Sequence, residues 1–97
     1  MIKVEKNKNI IKVSGHANFN NYGNDIVCAS VSSIIYTTIN AILNIDNKSI
    51  KYSDNLDLII EILNNDDITL KLIDNMMMLL IDLEKQYPKN ILVSKGE

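Results

Sequence analysis

The change of hydrophobic period along the chain is the feature that most constrains its fold. Near the start, apolar and polar residues alternate over two short stretches, with a polar turn at residues 7–9 between them. This pattern predicts a β-hairpin with one buried face. From residue 26 to about residue 43 the spacing becomes three to four, which predicts an amphipathic helix. The positions of this stripe are Val27, Val31, Ile34, Ile35, Thr38, Ile42 and Ile45.

The second half of the chain repeats the same order. Alternating stretches predict three further strands, at residues 50–52, 56–62 and 91–93. A polar break at residues 64–67 can cap a second helix, and Pro88 ends that helix because proline cannot continue it. The Met76-Met77-Met78 run is predicted to fill the core. The predicted order ββαββαβ is an α+β fold, with two amphipathic helices packed on an antiparallel or mixed sheet.

Size and composition narrow the class of protein. With 97 residues we expect a single domain spanning residues 1–97. The formal net charge is -2, and positive and negative residues are interspersed along the chain. The sequence therefore lacks the basic cluster that is typical of nucleic-acid-binding proteins, and we expect no direct contact with nucleic acid. One cysteine and one histidine cannot form a disulfide within the chain or a Cys/His metal site, and no cofactor is expected.

The distribution of apolar residues also bears on localisation. The first residues lack the apolar core of a signal peptide. The longest apolar run, residues 76–81, is far shorter than the ~20 residues of a membrane span. We therefore expect a reduced, cytoplasmic protein that does not bind a membrane.

The single histidine and the single cysteine carry the candidate chemistry. His16 and Cys28 flank a polar, asparagine-rich loop at residues 17–24. If Asp25 is the N-cap of the first helix, Cys28 lies in its first turn, where free N–H groups and the helix dipole favour a thiolate. A neighbouring imidazolium would favour it further, so the pair has the residue types of a cysteine nucleophile and its base.

Other interpretations of these residues stay open on spacing alone. A lone cysteine is commonly a small buried residue, and a lone histidine is commonly structural. Asp25 either caps the helix or assists the ring of His16. If Asp25 accepts a hydrogen bond from the Cys28 N–H, this N–H is not free to stabilise an oxyanion, so only one of these two roles is possible. Ser32 lies one turn after Cys28, where it either donates a hydrogen bond or is simply a small helix residue.

The residues Gly15-His16-Ala17, Gly23-Asn24-Asp25-Ile26-Val27-Cys28-Ala29 and Val31-Ser32 together resemble the signature of the ribosomal-processing cysteine protease family, Prp. This resemblance implies an endopeptidase that removes the N-terminal extension of ribosomal protein L twenty-seven, cutting after a phenylalanine-containing motif. It implies that Cys28 is the nucleophile, that His16 is the general base and acid, and that Asp25 and Ser32 assist. It also implies a homodimer that needs no metal or cofactor.

Two rival functions use the same residues differently. The first is a non-catalytic ribosome-associated binding module in which Cys28 and His16 are structural. The second is a thiol redox protein, which is disfavoured because the chain has no second cysteine to resolve a mixed disulfide.

Overall fold

The computed structural model describes residues 1–15 and 22–96, and for residues 22–25 it describes the backbone alone. Within these ranges the elements follow the predicted order ββαββαβ. They are β1 (Ile2–Asn7), β2 (Ile10–Ser14), α1 (Tyr22–Ile45), β3 (Ile50–Asp54), β4 (Leu58–Ile62), α2 (Asp67–Gln86) and β5 (Ile91–Lys95).

The five strands form one mixed sheet in the order β3-β4-β2-β1-β5. The pairs β1–β2, β2–β4 and β3–β4 are antiparallel, whereas β1 and β5 are parallel. The predicted α+β fold with a mixed sheet is confirmed. Since β2 is the central strand, the chain leaves the middle of the sheet at Ser14 and enters α1 next.

One face of the sheet carries the hydrophobic core, as the period-two alternation predicts. The buried strand residues share this face and pack in one cluster with the buried residues of both helices. They are Ile2, Val4, Ile11, Val13, Ile50, Leu58, Ile60, Ile62 and Ile91. On the opposite face Ile59 is 37 % exposed, so this side of the sheet is partly covered at that position.

Helix α1 is longer than predicted at both ends. It begins at Tyr22 rather than at residue 26, and it ends at Ile45 rather than near residue 43. The predicted apolar stripe is buried from Val27 to Ile42, with Ile34 half-buried. Its last residue, Ile45, is 59 % exposed because the end of the helix extends beyond the core cluster. Ile39, which the predicted stripe omitted, is fully buried.

The residues Ile26–Ile45 of α1 are long and apolar enough, by length and composition, to cross a membrane. The core helix of a folded domain passes the same test, because its sheet-facing stripe must be apolar. Val27, Val31, Ile35, Ile39 and Ile42 are all buried in the cluster that joins α1 to the sheet and to α2. The place of α1 in the core therefore explains the buried third of this apolar segment, while Ile26 and Ile45 are exposed.

Helix α2 begins and ends where the sequence predicts. Asp66 is the N-cap, and its Oδ1 accepts a hydrogen bond from the backbone N–H of Thr69 at 2.7 Å. The helix ends at Gln86, just before Pro88. The methionine run fills the core only in part, because Met78 points away from the sheet and is 61 % exposed, while Met76 and Met77 are fully buried.

Candidate active site

Gly15 ends the central strand and directs the chain toward position 16. Its φ is +85°, a conformation that side chains rarely adopt. A Cβ at this position would also overlap the backbone carbonyl oxygen of Met1. The glycine is therefore required twice, once by its own backbone and once by the close approach of the first strand.

His16 and most of the loop that follows lie outside the described residues. The predicted meeting of its ring with the Cys28 sulfur is therefore not tested, and it stays a prediction.

Asp25 lies within α1 rather than at its N-cap, so the predicted capping role is wrong. It is the fourth residue of the helix, which begins at Tyr22. The physical reason is that a carboxylate is as favourable in the first turn of a helix as at the cap, since both places face the positive end of the dipole. The residue type therefore could not distinguish the two positions. The alternative role, in which Asp25 assists His16, stays a prediction because its side chain is outside the description.

Cys28 is a free, half-buried cysteine at the seventh position of α1. The prediction placed it in the first turn, where N–H groups are unpaired, and the structure places it in the second. There a backbone N–H bonds the carbonyl four residues earlier, so it is not free for an oxyanion. The dipole effect is also concentrated in the first turn. The backbone of α1 thus gives Cys28 less electrostatic assistance than the sequence suggested.

Ser32 lies one turn after Cys28 on the same face of α1, as predicted. It is half-buried and lines a narrow cavity of about 20 Å³ between the helix and the sheet. The other lining residues are Val13, Val31, Ile35, Tyr36 and Leu58. Ser32 is therefore both close to the cysteine along the helix and in contact with an internal space. Ser33, its neighbour, is exposed and lies on a different surface.

An open groove runs between α1 and α2 beside this region. Its volume is about 590 Å³, and α1 contributes Ala29, Ser30, Ser33 and Ile34 to it. Its other wall is the C-terminal half of α2, where Asp82 is the acidic lining residue. Because Ala29 follows Cys28 directly, the groove begins at the turn of α1 that carries the cysteine.

Tyr36 is a residue of this region that sequence reasoning missed. Its hydroxyl donates a hydrogen bond to the carboxylate of Asp54, at the end of β3. Tyr52 packs edge-on against the same ring, with ring centroids 6.2 Å apart. The hydrogen bond to Asp54 raises the pKa of Tyr36 to about 12, and burial and the Asp54 charge add to the effect. The spacing in the sequence could have identified Tyr36, because it lies eight residues after Cys28 and a helix places residues at this spacing on one face.

The chain is similar in sequence to known proteins of one family. A model of the family described as cysteine protease Prp matches residues 1–92. The ribosomal processing cysteine protease Prp of Staphylococcus aureus is 33 % identical over 84 residues, which cover 81 % of this chain and 78 % of the relative. A corresponding protein of Bacillus subtilis is 41 % identical over 32 residues, which cover 33 % of this chain and 29 % of the relative.

Solved structures share the fold over nearly the whole chain. The Staphylococcus aureus Prp protease in complex with a substrate peptide superposes with a TM-score of 0.90 at 24 % identity, covering 99 % of this chain and all of that one. The same protease with a covalently linked product peptide gives a TM-score of 0.87 at 25 % identity, with the same coverage.

Proposed function

Because the chain belongs to the cysteine protease Prp family, we propose that it is the endopeptidase that removes the N-terminal extension of ribosomal protein L twenty-seven during maturation of the large ribosomal subunit. The observation that supports this most directly is the family match over residues 1–92, which includes the free, half-buried Cys28. By the same reasoning the cut follows a phenylalanine-containing motif in the extension.

The proposed mechanism uses Cys28 as nucleophile and His16 as acid and base. The Cys28 thiolate attacks the carbonyl carbon of the peptide bond, and the C–N bond breaks as the imidazolium of His16 gives its proton to the leaving amine. His16 then takes a proton from water, and the resulting hydroxide attacks the thioester. The acyl product leaves as a carboxylate, and the thiolate is regenerated.

Asp25 and Ser32 are the proposed assisting residues. An aspartate that accepts a hydrogen bond from the imidazole would fix its orientation and stabilise its charged form. A hydroxyl one turn from the sulfur can donate to the oxyanion, a function that the helical N–H of Cys28 cannot supply while it is bonded within α1. Ser32 therefore has a larger share of oxyanion stabilisation in this proposal than the sequence alone suggested.

The proposal extends to the partners and the compartment. The partner is the ribosomal protein precursor, recognised through its N-terminal extension peptide, and the enzyme acts as a homodimer in the cytoplasm without metal or cofactor. No direct contact with nucleic acid or membrane is required, because the substrate is a peptide segment. The formal net charge of -2 agrees with a protein substrate.

Cleavage of a peptide that contains the processing motif tests the proposed function. The native chain should cut it once, whereas Cys28→Ala and His16→Ala should each lower kcat/KM at least about a thousandfold, because both residues act in one unit. Ser32→Ala should lower it about a hundredfold, and the matched control Ser33→Ala should stay within about twofold of native. Equal cleavage by the native chain and by Cys28→Ala or His16→Ala would refute the proposal.

The binding-module alternative makes a different prediction for the thiol. If Cys28 only fills space, alkylation at neutral pH should be slow, and replacing the residue should destabilise the fold strongly. If Cys28 is a nucleophile, alkylation should stay rapid below pH 7 in the native chain and slow down in His16→Ala. The rate of alkylation by iodoacetamide as a function of pH separates the two functions without any substrate.

A further inference from the structure

Strand β5 forms one edge of the sheet, and its first three residues, 91–93, are apolar. Ile91 and Val93 pack on the core cluster, whereas Leu92 lies on the other face and is 48 % exposed. An apolar edge strand offers its unpaired N–H and C=O groups to a strand of another chain, which makes it a common place of self-association. The backbone groups of β5 that point away from β1 therefore decide whether a further strand pairs there.

The pairing with β1 fixes which backbone groups of β5 point outward. The two strands are parallel, and the Gly96 N–H donates to the Lys6 carbonyl at 2.6 Å. A parallel strand uses alternate residues for the neighbour on each side, so residues 92 and 94 also face β1. The N–H groups of Ile91 and Val93 consequently point away from the sheet, toward the place that an added strand would occupy.

Both of these N–H groups are already occupied by the C-terminal end of α2. The Val93 N–H donates to Oε2 of Glu84 at 2.9 Å, and the Ile91 N–H donates to the Tyr87 carbonyl at 3.2 Å. Glu84 is half-buried in the last turn of α2, and a carboxylate binds an N–H more strongly than a neutral acceptor does. An added strand would have to displace this carboxylate, and its own carbonyl oxygens would face the negative charge.

The opposite edge, β3, has no such closure within the part of the chain that the structure describes. The Leu63 N–H donates to the Ser49 carbonyl at 2.8 Å, so Ser49 and every second residue after it face β4. The N–H groups of Tyr52 and Asp54 therefore point outward, and no group in residues 1–15 and 22–96 accepts from them. If both edges were open, β3 of one copy would be able to pair with β5 of the next, and such a contact repeats without closing.

We propose that Glu84 closes the β5 edge against a second copy of this chain, so that copies do not associate strand to strand through β5. Glu84 does this by occupying the Val93 N–H and by placing its charge beside the edge. Any strand pairing between copies, including one within the proposed homodimer, is thereby confined to β3. The proposal concerns the edges of the sheet and does not rest on the proposed protease function.

Sedimentation velocity at rising protein concentration tests the proposal. Glu84→Ala should reach at least about twice the mass of the native chain at the same concentration, because the opened edge pairs with an edge of another copy. Glu84→Gln keeps an oxygen that accepts from the Val93 N–H and should keep the native mass. The neighbouring exposed residue provides the matched control, and Lys85→Ala should also keep the native mass.

A second change on β5 distinguishes edge pairing from general aggregation. In Glu84→Ala/Val93→Pro the outward N–H is removed as well, and proline is tolerated in an edge strand where no ladder hydrogen bond is lost. This double variant should return to the native mass. Hydrogen exchange at the Val93 amide gives an independent measure, because in Glu84→Ala this amide should exchange faster than in native protein when dilute and slow down as the copies associate.

Two results would overturn the proposal. One is a folded Glu84→Ala that keeps the native mass at every concentration, and the other is a Glu84→Ala/Val93→Pro that associates as strongly as Glu84→Ala. Circular dichroism and thermal unfolding establish which variants are folded. If Glu84→Ala does not fold, Glu84→Asp takes its place with the same expected results, because its carboxylate is one methylene too short to reach the Val93 N–H.

Discussion

The replacement Tyr36→Phe tests whether one hydrogen bond ties the edge strand β3 to α1. The hydroxyl of Tyr36 donates to the Asp54 carboxylate, and this hydrogen bond is the main cause that raises the pKa of Tyr36 from 10.0 to about 12. Two pKa units correspond to about 2.7 kcal/mol between the two protonation states. Because solvent reaches both groups, screening reduces the contribution to stability to the order of 1 kcal/mol.

The sign of the pH dependence follows from the raised pKa of Tyr36. The folded state favours the neutral phenol, so the stabilisation is complete below pH 10 and is lost as the pH rises from 10 through about 12. Urea unfolding at neutral pH should therefore show Tyr36→Phe to be less stable by about 1 kcal/mol, and this difference should vanish in strong alkali. The titration of Tyr36 alone can be measured by stopped-flow absorbance of tyrosinate, as the difference between the native protein and Tyr36→Phe at each pH. The midpoint of this difference should lie at about pH 12.

A double-mutant cycle with Asp54 completes this test. Asp54→Ala removes the acceptor, so it should cost about as much as Tyr36→Phe, and the double variant should cost no more than either single one. Tyr52→Phe keeps the hydrogen bond and serves as the matched control. Additive effects of Tyr36→Phe and Asp54→Ala, together with a titration midpoint near the ordinary value of 10 for Tyr36, would show that this hydrogen bond does not tie β3 to α1.

Three further predictions concern stability and are checked by urea or thermal unfolding. Gly15→Ala should destabilise the fold by at least about 2 kcal/mol, because both its φ and the adjacent backbone exclude a Cβ; near-native stability would show that the turn relaxes easily. Asp66→Ala should lower the Tm by about 4–8 °C, because the N-cap of α2 is lost. Asp67→Ala breaks only an exposed ion pair and should lower the Tm much less, so equal shifts of the two variants would refute the capping role of Asp66. Met76→Ala should cost about 2–5 kcal/mol and Met78→Ala under about 0.5 kcal/mol; the reverse order would contradict the burial assignment.

Both hairpins and α2 were predictable because their signals are local. A period-two alternation fixes which side chains share a face, and a polar turn fixes where the pairing reverses. For α2, the cap at Asp66 and the stop before Pro88 act through contacts within a few residues. Neither depends on what the rest of the chain does, so a single sequence was sufficient.

The start of α1 was not predictable for the opposite reason. An aspartate is favourable both as a cap and within the first turn, so Asp25 carried no information on where the helix begins. Burial was also uncertain at element ends, where Ile45 and Leu56 are exposed because no neighbouring element covers them. The Tyr36–Asp54 hydrogen bond joins residues 18 positions apart on different elements, and no local pattern specifies such a pairing.

The later position of Cys28 in α1 changes which groups activate the thiol in the proposed mechanism. In the first turn, the free N–H groups and the dipole would share this task with the imidazole. In the second turn the N–H groups are bonded within the helix, so both thiolate formation and oxyanion stabilisation depend on groups outside the helix backbone. We infer that they depend on His16, which the β2–α1 connection carries, and on the Ser32 hydroxyl. The helix then acts mainly as a rigid support that aligns Cys28 and Ser32 on one face.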